Sequence, residues 1–239
     1  MTARLRVGLL ECDHVDPRYR GLAGGDYRDM FRTLFAANAP SVDLVPFDVV
    51  NGDWPGTDGA DGYVCTGSRH GVNDGLAWVD KLIDFVADVH EERVPFVGIC
   101  FGHQVLAKAL GGRVERAAQW GAGVHCTEIV DTRDWMGTNT GPLALHYMHQ
   151  DQVVALPSGT TVLGRTDHCP IAMFEAGGTA LGMQAHPEFV ATYTGALLDA
   201  RELRIGADVT STARASLATP TNEAVAADWI DRFFSRITE

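Results

Sequence analysis

The sequence predicts an α/β protein, a three-layer sandwich whose central sheet is mostly parallel and carries an antiparallel extension. Three observations support this fold class. In the first half of the chain, short apolar runs alternate with amphipathic helical patterns, which is typical of βαβ units. One of these runs leads through a tight, glycine-flanked turn directly into a helical pattern. After Gly112, shorter strand-like segments follow one another with polar turns between them, which favours antiparallel pairing.

The elements are expected in a definite order along the chain. Apolar runs bounded by turn residues predict four early strands, at residues 5–10, 42–50, 63–65 and 95–99. Apolar residues at helical spacing predict core-facing helices between them, at residues 27–37 and 76–89. Later strands are expected at residues 124–130, 143–148, 162–164, 171–174 and 180–184.

The last part of the chain is expected to contain a surface loop and a final helix. Residues 205–221 are rich in Ala, Ser and Thr, which is typical of a loop. Residues 222–237 place Trp229 and Phe233 on one apolar side, which predicts a helix. Since no repeat and no linker interrupts the sequence, we expect residues 1–239 to form one domain.

Composition and charge limit the possible functions. Of the 239 residues, 46% are apolar and 21% are charged, which is typical of a globular enzyme. The formal net charge of −12 repels phosphate backbones and anionic lipids, so neither nucleic acid nor a membrane is expected as a partner. The apolar N-terminal stretch is broken at Glu11 and Asp13 and is too short for a signal peptide or a membrane span. A cytoplasmic location is therefore expected.

No pattern in the sequence indicates a metal or a cofactor. The glycine-rich stretch that begins at Gly21 lacks the Gly-x-Gly-x-x-Gly pattern of a dinucleotide site. No Cys-x-x-Cys pair occurs, so neither a zinc site nor a disulfide framework is predicted. Only Cys100 lies in a context that indicates chemistry, and the other cysteines are expected to be small buried residues. These four are Cys12, Cys65, Cys126 and Cys169.

The turn around Cys100 has the pattern of a nucleophile elbow. A buried run leads into Cys100, and a helical pattern then continues to Gly111. Such a turn brings the backbone two residues before and after the nucleophile close together, and Gly98 and Gly102 occupy both positions. At a helix N-terminus Cys100 would favour its thiolate form, and the N–H of Phe101 would face the oxygen of an attacked carbonyl. The alternative is a buried structural cysteine in a glycine-rich turn.

A thiol nucleophile needs a general base and a group that orients the base. His186 ends an apolar strand, and Pro187 favours an extended backbone there. Glu188 follows two residues after His186, within reach of its Nδ1. In the order of the chain the predicted acid, Glu188, follows the histidine, whereas in the α/β-hydrolases the acid precedes the histidine. The sequence therefore predicts a triad of Cys100, His186 and Glu188.

Residues 98–104, Gly-Ile-Cys-Phe-Gly-His-Gln, together with residues 186–188, His-Pro-Glu, resemble the class I glutamine amidotransferases over most of the chain. The resemblance implies a flavodoxin-like sandwich. It also implies that the Cys100 thiolate attacks the side-chain amide of glutamine, that ammonia leaves, and that a glutamyl thioester is then hydrolysed. In this scheme His186 moves the protons and Glu188 orients it.

The same resemblance implies an oxyanion hole formed by the N–H groups of Phe101 and Gly67. Gly67 follows the strand at residues 63–65, as the second donor does in the family. Many members have two glycines and a proline there, and the sequence Thr66-Gly67-Ser68 departs from that pattern. An ordinary surface turn is therefore the alternative for this segment.

The resemblance also implies a set of substrate-binding residues. Gln104 would hold the α-amino-acid end of the substrate, although it could equally lie on the helix surface. Met148 and His149 would border the substrate pocket. His149 and Asp151 could form a rival acid–base pair, but no elbow lies near them in the sequence, so a structural or orienting role is expected. His103 is expected to pack behind the elbow rather than to act as a base.

Several functions remain open within this family. Residues 25–31, 149–153 and 186–189 are similar to stand-alone GMP-synthase-like members and to plant γ-glutamyl peptidases, and we expect no synthase domain in this protein. We therefore expect hydrolysis of a small-molecule γ-glutamyl substrate. The acidic balance favours a cationic or neutral compound such as a γ-glutamyl amine.

Three alternatives remain. The first is a glutaminase subunit that delivers ammonia to a separate synthase. The second is a catalytically silent binding module, which the complete triad argues against. The third is a cysteine peptidase of the same superfamily, which often has histidine where Phe101 stands.

Overall fold

The structure is a computed structural model that describes residues 4–236. Within this range nine strands form a single sheet, and they are β1 Leu5–Leu10, β2 Val42–Phe47, β3 Gly62–Cys65, β4 Phe96–Ile99, β5 Arg113–Ile129, β6 Leu143–Ala155, β7 Thr160–Arg165, β8 Met173–Ala176 and β9 Ala180–Met183. The helices in the same range are α1 Arg20–Ala23, α2 Tyr27–Asn38, α3 Ala77–Glu91, α4 Phe101–Ala109, α5 Ala191–Ile205, α6 Ala207–Ser216 and α7 Glu223–Ser235. Two short 3₁₀ turns span Val49–Asn51 and Asp134–Met136.

The sheet is parallel in one part and antiparallel in the other. Its strand order is β2-β1-β3-β4-β9-β8-β7-β5-β6. The five strands from β2 to β9 pair in parallel, and every later neighbour in that order pairs antiparallel. The predicted parallel sheet with an antiparallel extension is therefore confirmed.

Helices cover both faces of the sheet and make the three layers of the sandwich. On one face, α2, α5 and α7 contribute the fully buried Phe31, Leu198 and Phe233 to one core cluster. On the other face, α3 and α4 contribute Leu82 and Val105 to a second cluster. A parallel sheet has no solvent-facing side, which explains why its strands read as short continuous apolar runs rather than as alternating patterns.

The parallel strands determine where a functional site can form. In such a sheet the carboxyl ends of the strands meet at one edge, where ligands commonly bind. The segments that follow β1, β3, β4 and β9 therefore lie close together. They include Gly67, Cys100 and His186, which are far apart in the sequence.

The antiparallel part is dominated by one long hairpin. Strands β5 and β6 contain 17 and 13 residues, and the predicted strands at 124–130 and 143–148 cover only part of them. Their pairing shifts register between Arg116 and Gly121, and beyond the shift Gly121 pairs with His149. Such an irregularity changes the direction of neighbouring side chains, and here it lies beside the cleft described below.

The prediction of a surface loop at residues 205–221 is wrong, because most of this segment is helical. Helix α5 continues to Ile205, Gly206 turns the chain with a φ of 93°, and α6 follows directly. Helix α6 packs so closely on β5 that a Cβ at Gly123 would lie 2.8 Å from the Cα of Ala213. The small Ala, Ser and Thr residues allow this close approach, so they mark a helix–sheet contact and not a loop.

Two smaller differences concern the ends of elements. Strand β2 ends at Phe47 and a 3₁₀ turn follows, whereas the sequence predicted a strand over 42–50. Helix α7 confirms the final helix, although the predicted end at residue 237 lies outside the described residues. None of the helices between residues 4 and 236 combines the length and apolar character that crossing a membrane requires.

Candidate active site

Cys100 lies at a strained turn between β4 and α4, as the sequence predicted. Its φ of 53° and ψ of −97° are unusual for a residue other than glycine, so the surrounding structure must hold the turn in place. A Cβ at Gly98 would lie 2.3 Å from the carbonyl oxygen of Gly102, and a Cβ at Gly102 would lie 2.5 Å from that of Cys65. Both glycines are therefore required, because any side chain would collide with backbone.

The other cysteines differ from Cys100 in their surroundings. Cys12, Cys65 and Cys169 are buried, as expected, but Cys126 is exposed. Cys126 lies on β5 next to the buried Thr127, and alternate side chains of a strand point to opposite sides. The expectation of burial was thus wrong for Cys126, since an apolar residue type does not determine which side of a strand it occupies.

His186 and Glu188 form a buried pair beside Cys100. The Nδ1 atom of His186 lies 2.7 Å from Oε1 of Glu188, and both side chains are almost completely excluded from solvent. This contact directs the Nδ1 proton toward the carboxylate and leaves Nε2 for proton exchange. The second oxygen of Glu188, Oε2, has no hydrogen-bond partner among the described residues.

The position of the His186 ring is tightly constrained. On one side the ring stacks on Phe189, with centroids 3.8 Å apart and planes 16° apart. The ring also approaches Gly67, where a Cβ would lie 2.7 Å from Cε1 of His186 and 3.7 Å from Cβ of Cys100. The backbone N–H of His186 donates to the carbonyl oxygen of His146 at 2.8 Å. The imidazole therefore has little freedom to move.

The electrostatic surroundings of His186 favour its charged form. Burial opposes protonation of the ring, but the negative charges of Cys100 and Glu188 and the hydrogen bonds to them outweigh burial. Together they raise the pKa of His186 to about 10. This raised pKa favours the imidazolium form, which can donate a proton to a leaving nitrogen.

Gly67 and Phe101 lie next to the cysteine, as the resemblance implied. Phe101 is the first residue of α4, and the first N–H groups of a helix have no partner within it. Gly67 follows β3 directly, and the neighbouring Ser68 hydroxyl donates to the carbonyl oxygen of Cys12 at 2.9 Å. The segment is thus anchored inside the site and is not an ordinary surface turn.

The predicted substrate residues line a cleft of about 290 Å³ that opens at Cys100. Gln104, Met148 and His149 all contribute to its wall and are nearly buried. The amide nitrogen of Gln104 donates to the backbone oxygen of Asp151 at 2.8 Å and to Oε1 of Gln184 at 3.2 Å. Gln104 is therefore part of a buried polar network and does not lie on the helix surface.

The rival acid–base pair is not formed in this structure. His149 Nδ1 lies 3.1 Å from the backbone oxygen of Asp151, while the Asp151 carboxylate pairs with Arg116. Burial lowers the pKa of His149 to about 3, so its ring is neutral. His103 is also fully buried, packs against Phe174 and has its pKa lowered to about 3 by burial. Both histidines occupy structural surroundings, as expected.

Sequence reasoning missed one polar neighbour of the sulfur and the arginines of the cleft. The side-chain N–H of Gln184 donates to Sγ of Cys100 at 3.4 Å. Gln184 directly follows β9 and precedes the predicted base His186 by two residues, and this position could have identified it. Arg201 and Arg204 also line the cleft. No signal pointed to them because α5 was not predicted.

The fold and the site together define an α/β enzyme with a cysteine, histidine and glutamate at the carboxyl edge of a parallel sheet. The family profile "Glutamine amidotransferase class-I" matches residues 40–204. The chain therefore belongs to the class I glutamine amidotransferase family. Among the residues described, no group of three His, Cys, Asp or Glu side chains could hold a metal ion.

The relatives include γ-glutamyl peptidases and GMP synthases. Gamma-glutamyl peptidase 3 of Arabidopsis thaliana is 31% identical over 176 residues, which cover 69% of this chain and 70% of that protein. A GMP synthase (glutamine-hydrolyzing) of Neisseria meningitidis is 37% identical over 121 residues, which cover 48% of this chain and 23% of the synthase.

Solved structures show the same fold. A glutamine amidotransferase from Thermotoga maritima has a TM-score of 0.72 at 20% identity and covers 97% of this chain and 98% of its own. One from Methylobacillus flagellatus has a TM-score of 0.73 at 20% identity and covers 99% of this chain and 94% of its own. The flavodoxin-like sandwich that the resemblance implied is thereby confirmed.

Proposed function

We propose that this chain hydrolyses the amide bond of a small γ-glutamyl compound through a glutamyl thioester on Cys100. The observation that carries the proposal is the position of Cys100 on a strained elbow beside the buried His186–Glu188 pair. The γ-glutamyl peptidases among the relatives, which match about two thirds of this chain, support a γ-glutamyl substrate.

In the first half-reaction, Sγ of Cys100 forms a bond to the γ-carbonyl carbon, and the electron pair of the C=O bond moves to the oxygen. The tetrahedral intermediate then collapses, and the C–N bond breaks. His186 gives its proton to the leaving nitrogen, so an amine leaves, or ammonia when the substrate is glutamine. The glutamyl group remains on Cys100 as a thioester.

In the second half-reaction, water attacks the thioester carbon while His186 removes a proton from the water. The C–S bond breaks, glutamic acid leaves and gives its γ-carboxyl proton to water, and Cys100 and His186 return to their starting states. Glu188 holds Nδ1 throughout and stabilises the imidazolium form. The reaction needs no cofactor, since every proton is exchanged between substrate, water and His186.

The remaining predicted site residues have supporting roles in this proposal. The N–H groups of Gly67 and Phe101 would stabilise the oxyanion in both half-reactions. Gln104, Met148 and His149 would contact the glutamyl part, because they form the buried end of the cleft next to Cys100. We also propose that residues 1–239 form one domain, which the continuous sheet supports. A cytoplasmic location stays a prediction from the sequence.

A second candidate is a glutaminase that delivers ammonia to a separate synthase. The observation in its favour is the 121-residue match to the glutamine-hydrolyzing GMP synthase of Neisseria meningitidis. The chemistry at Cys100 would be identical, and only the fate of the ammonia would differ. Comparison of glutamine with other γ-glutamyl compounds separates the two candidates.

The test is glutamate release by the purified chain from L-glutamine, γ-glutamyl amines and γ-glutamyl dipeptides. Cys100→Ala serves as the blank, and Cys126→Ala is the matched control because Cys126 is an exposed free cysteine outside the cleft. We expect rapid turnover of a γ-glutamyl amide other than glutamine and none by Cys100→Ala. Brisk turnover of glutamine alone would favour the ammonia-delivering candidate. Full activity of Cys100→Ala would refute the thioester mechanism.

A further inference from the structure

The cleft at Cys100 is cationic, although the chain as a whole carries a net charge of −12. The charged side chains of its wall are four arginines and two aspartates, namely Arg69, Arg116, Arg201, Arg204, Asp74 and Asp151. A local field in a cleft depends on the nearby charges and not on the total, so the total charge is a poor guide to the substrate.

Two of the four arginines are already neutralised within the protein. Arg69 pairs with Asp13, with Nε 2.8 Å from the carboxylate, and Arg116 pairs with Asp151 at 3.1 Å. Arg201 and Arg204 form no ion pair with any residue in the range 4–236, so their charges remain available.

The helix and the hairpin hold these two arginines in place. Arg201 and Arg204 are three residues apart in the last turns of α5, so they lie on the same face of the helix. The Arg204 guanidinium lies over the ring of Trp120, with its Cζ atom 5.4 Å from the ring centroid. Trp120 comes from β5 and packs against the core, so it gives the arginine a rigid support.

Two like charges at this spacing disfavour the helix that carries them. An anionic ligand bound near both side chains would remove this repulsion. Arginine is suited to this role because its planar fork binds a carboxylate through two parallel hydrogen bonds. Two arginines without ion pairs on one face of α5 therefore provide a candidate carboxylate site in the same cleft as the nucleophile.

We propose that Arg201 and Arg204, supported by Trp120, bind the free carboxylate of the amino acid or peptide that is joined to the γ-glutamyl group. This inference rests on the proposed function, since it assigns the leaving part of the same substrate. The favoured substrates are then γ-glutamyl amino acids or peptides, and not the γ-glutamyl amines that the acidic composition suggested.

Arg201 and Arg204 are assigned to the leaving group of the substrate because they are more exposed than the residues next to Cys100. Next to Cys100 the cleft is lined by the buried, uncharged Gln104 and His149, which suit the invariant glutamyl group. Arg204 is exposed and Arg201 is half-buried, so they stand at the solvent edge of the cleft. A leaving group of variable length extends toward solvent, where this edge can bind its terminal carboxylate.

The experiment compares kcat/KM for γ-glutamyl-glycine and γ-glutamyl-ethylamine, which differ in the leaving-group carboxylate. In the unmodified protein we expect γ-glutamyl-glycine to be the better substrate. The double variant Arg201→Gln/Arg204→Gln should lose about 10- to 100-fold in kcat/KM for γ-glutamyl-glycine, as for loss of charged hydrogen bonds, and change little for the ethylamine. The charge-matched control is Arg214→Gln/Arg232→Gln, whose arginines pair with aspartates outside the cleft.

A third substrate identifies which carboxylate is bound. In this compound the glutamyl α-carboxylate of γ-glutamyl-glycine is converted to an amide, and the glycine carboxylate remains. If the double variant still loses activity on it, the leaving-group assignment holds. If the variant effect disappears on this compound, the arginines bind the glutamyl α-carboxylate and the inference is wrong. An equal loss on all three substrates would also overturn it, since that outcome indicates a structural role.

A binding measurement keeps the inference separate from the proposed function. Calorimetry with Cys100→Ala protein measures the affinity for γ-glutamyl-glycine and for γ-glutamyl-ethylamine without turnover. We expect the arginine variant to weaken binding of the glycine compound only. If no substrate is hydrolysed but this selective loss is observed, the proposed function fails and the carboxylate site stands. If neither compound shows a dependence on the arginines, the carboxylate site fails.

Discussion

Replacement of Gly67 by alanine tests the geometry of the site more directly than removal of a catalytic group. A Cβ at this position would lie 2.7 Å from Cε1 of His186, whereas ordinary contact begins at about 3.4 Å. The ring would have to retreat by roughly 0.7 Å, the difference between these two distances. This movement would disturb the stacking on Phe189, at a centroid distance of 3.8 Å, and the 2.7 Å contact between Nδ1 and Glu188.

The size of the effect follows from this displacement. A misplacement of about 1 Å in a catalytic group can reduce the rate about 100-fold, since proton transfer depends steeply on distance and direction. We therefore expect Gly67→Ala to lower kcat by about 10- to 100-fold. Overall stability should change far less, because the collision is confined to one ring and one loop.

The assay is kcat on a γ-glutamyl substrate together with thermal unfolding of the same preparations. Gly141→Ala is the matched control, because a Cβ there meets no atom within 4 Å and the residue has no positive φ. Unchanged kcat in Gly67→Ala, with a crystal structure or NMR spectrum that places His186 as before, would refute the close-contact argument. A large loss in Gly141→Ala would mean that the assay responds to general damage.

Three further predictions follow from the site and the core. Cys100→Ala should abolish turnover without unfolding the protein, because the elbow accommodates a small side chain, and circular dichroism beside the activity assay checks both points. His186→Asn should reduce kcat by about 10³- to 10⁶-fold and Glu188→Gln by clearly less, since Glu188 only orients the base, so equal losses would contradict these roles. Burial lowers the pKa of His103 to about 3, so the unfolded chain binds a proton at this ring more readily than the folded protein does. The contribution of the neutral His103 ring to the free energy of unfolding is fully present above the pKa of histidine in the unfolded chain, near 6.5. Below that pH the contribution falls by up to about 1.4 kcal/mol per pH unit. Urea unfolding between pH 7.5 and 5 should therefore show a weaker pH dependence for His103→Asn, and an unchanged slope would argue that the ring is protonated in the folded state.

The elbow was predictable because its constraint is local. Gly98 and Gly102 must lack side chains so that the backbone segments around Cys100 can come close together, and the pattern that shows this requirement spans only residues 98–102. The spacing of His186 and Glu188 is local as well, since the turn at residues 187–188 brings Oε1 of Glu188 to 2.7 Å from Nδ1 of His186. The pairing of these two short patterns across more than eighty residues was predicted from the chemistry of a thiol nucleophile, which needs a base and an orienting carboxylate, and the family resemblance agreed with it.

The segment at 205–221 was mispredicted because its constraint is not local. Its Ala, Ser and Thr residues have low intrinsic hydrophobicity, and only their contact with β5 at Gly123 explains why they are small and helical. The same applies to Arg201 and Arg204, because the sequence predicted no helix or strand at residues 191–205. Their significance appears only when α5 lies against the hairpin that carries Trp120.

By itself, the sequence determined the βαβ alternation, the strained turn at Cys100 and the identity of the residues able to act as nucleophile, base and orienter. These features depend on backbone sterics and on side chains within a few positions of one another. The tertiary structure decided which side chains converge on the nucleophile from distant strands and helices. It also decided the charge of the cleft, because a local electrostatic field depends on distances in space. The net charge of −12 gives no indication of the four arginines that the fold brings together in the cleft.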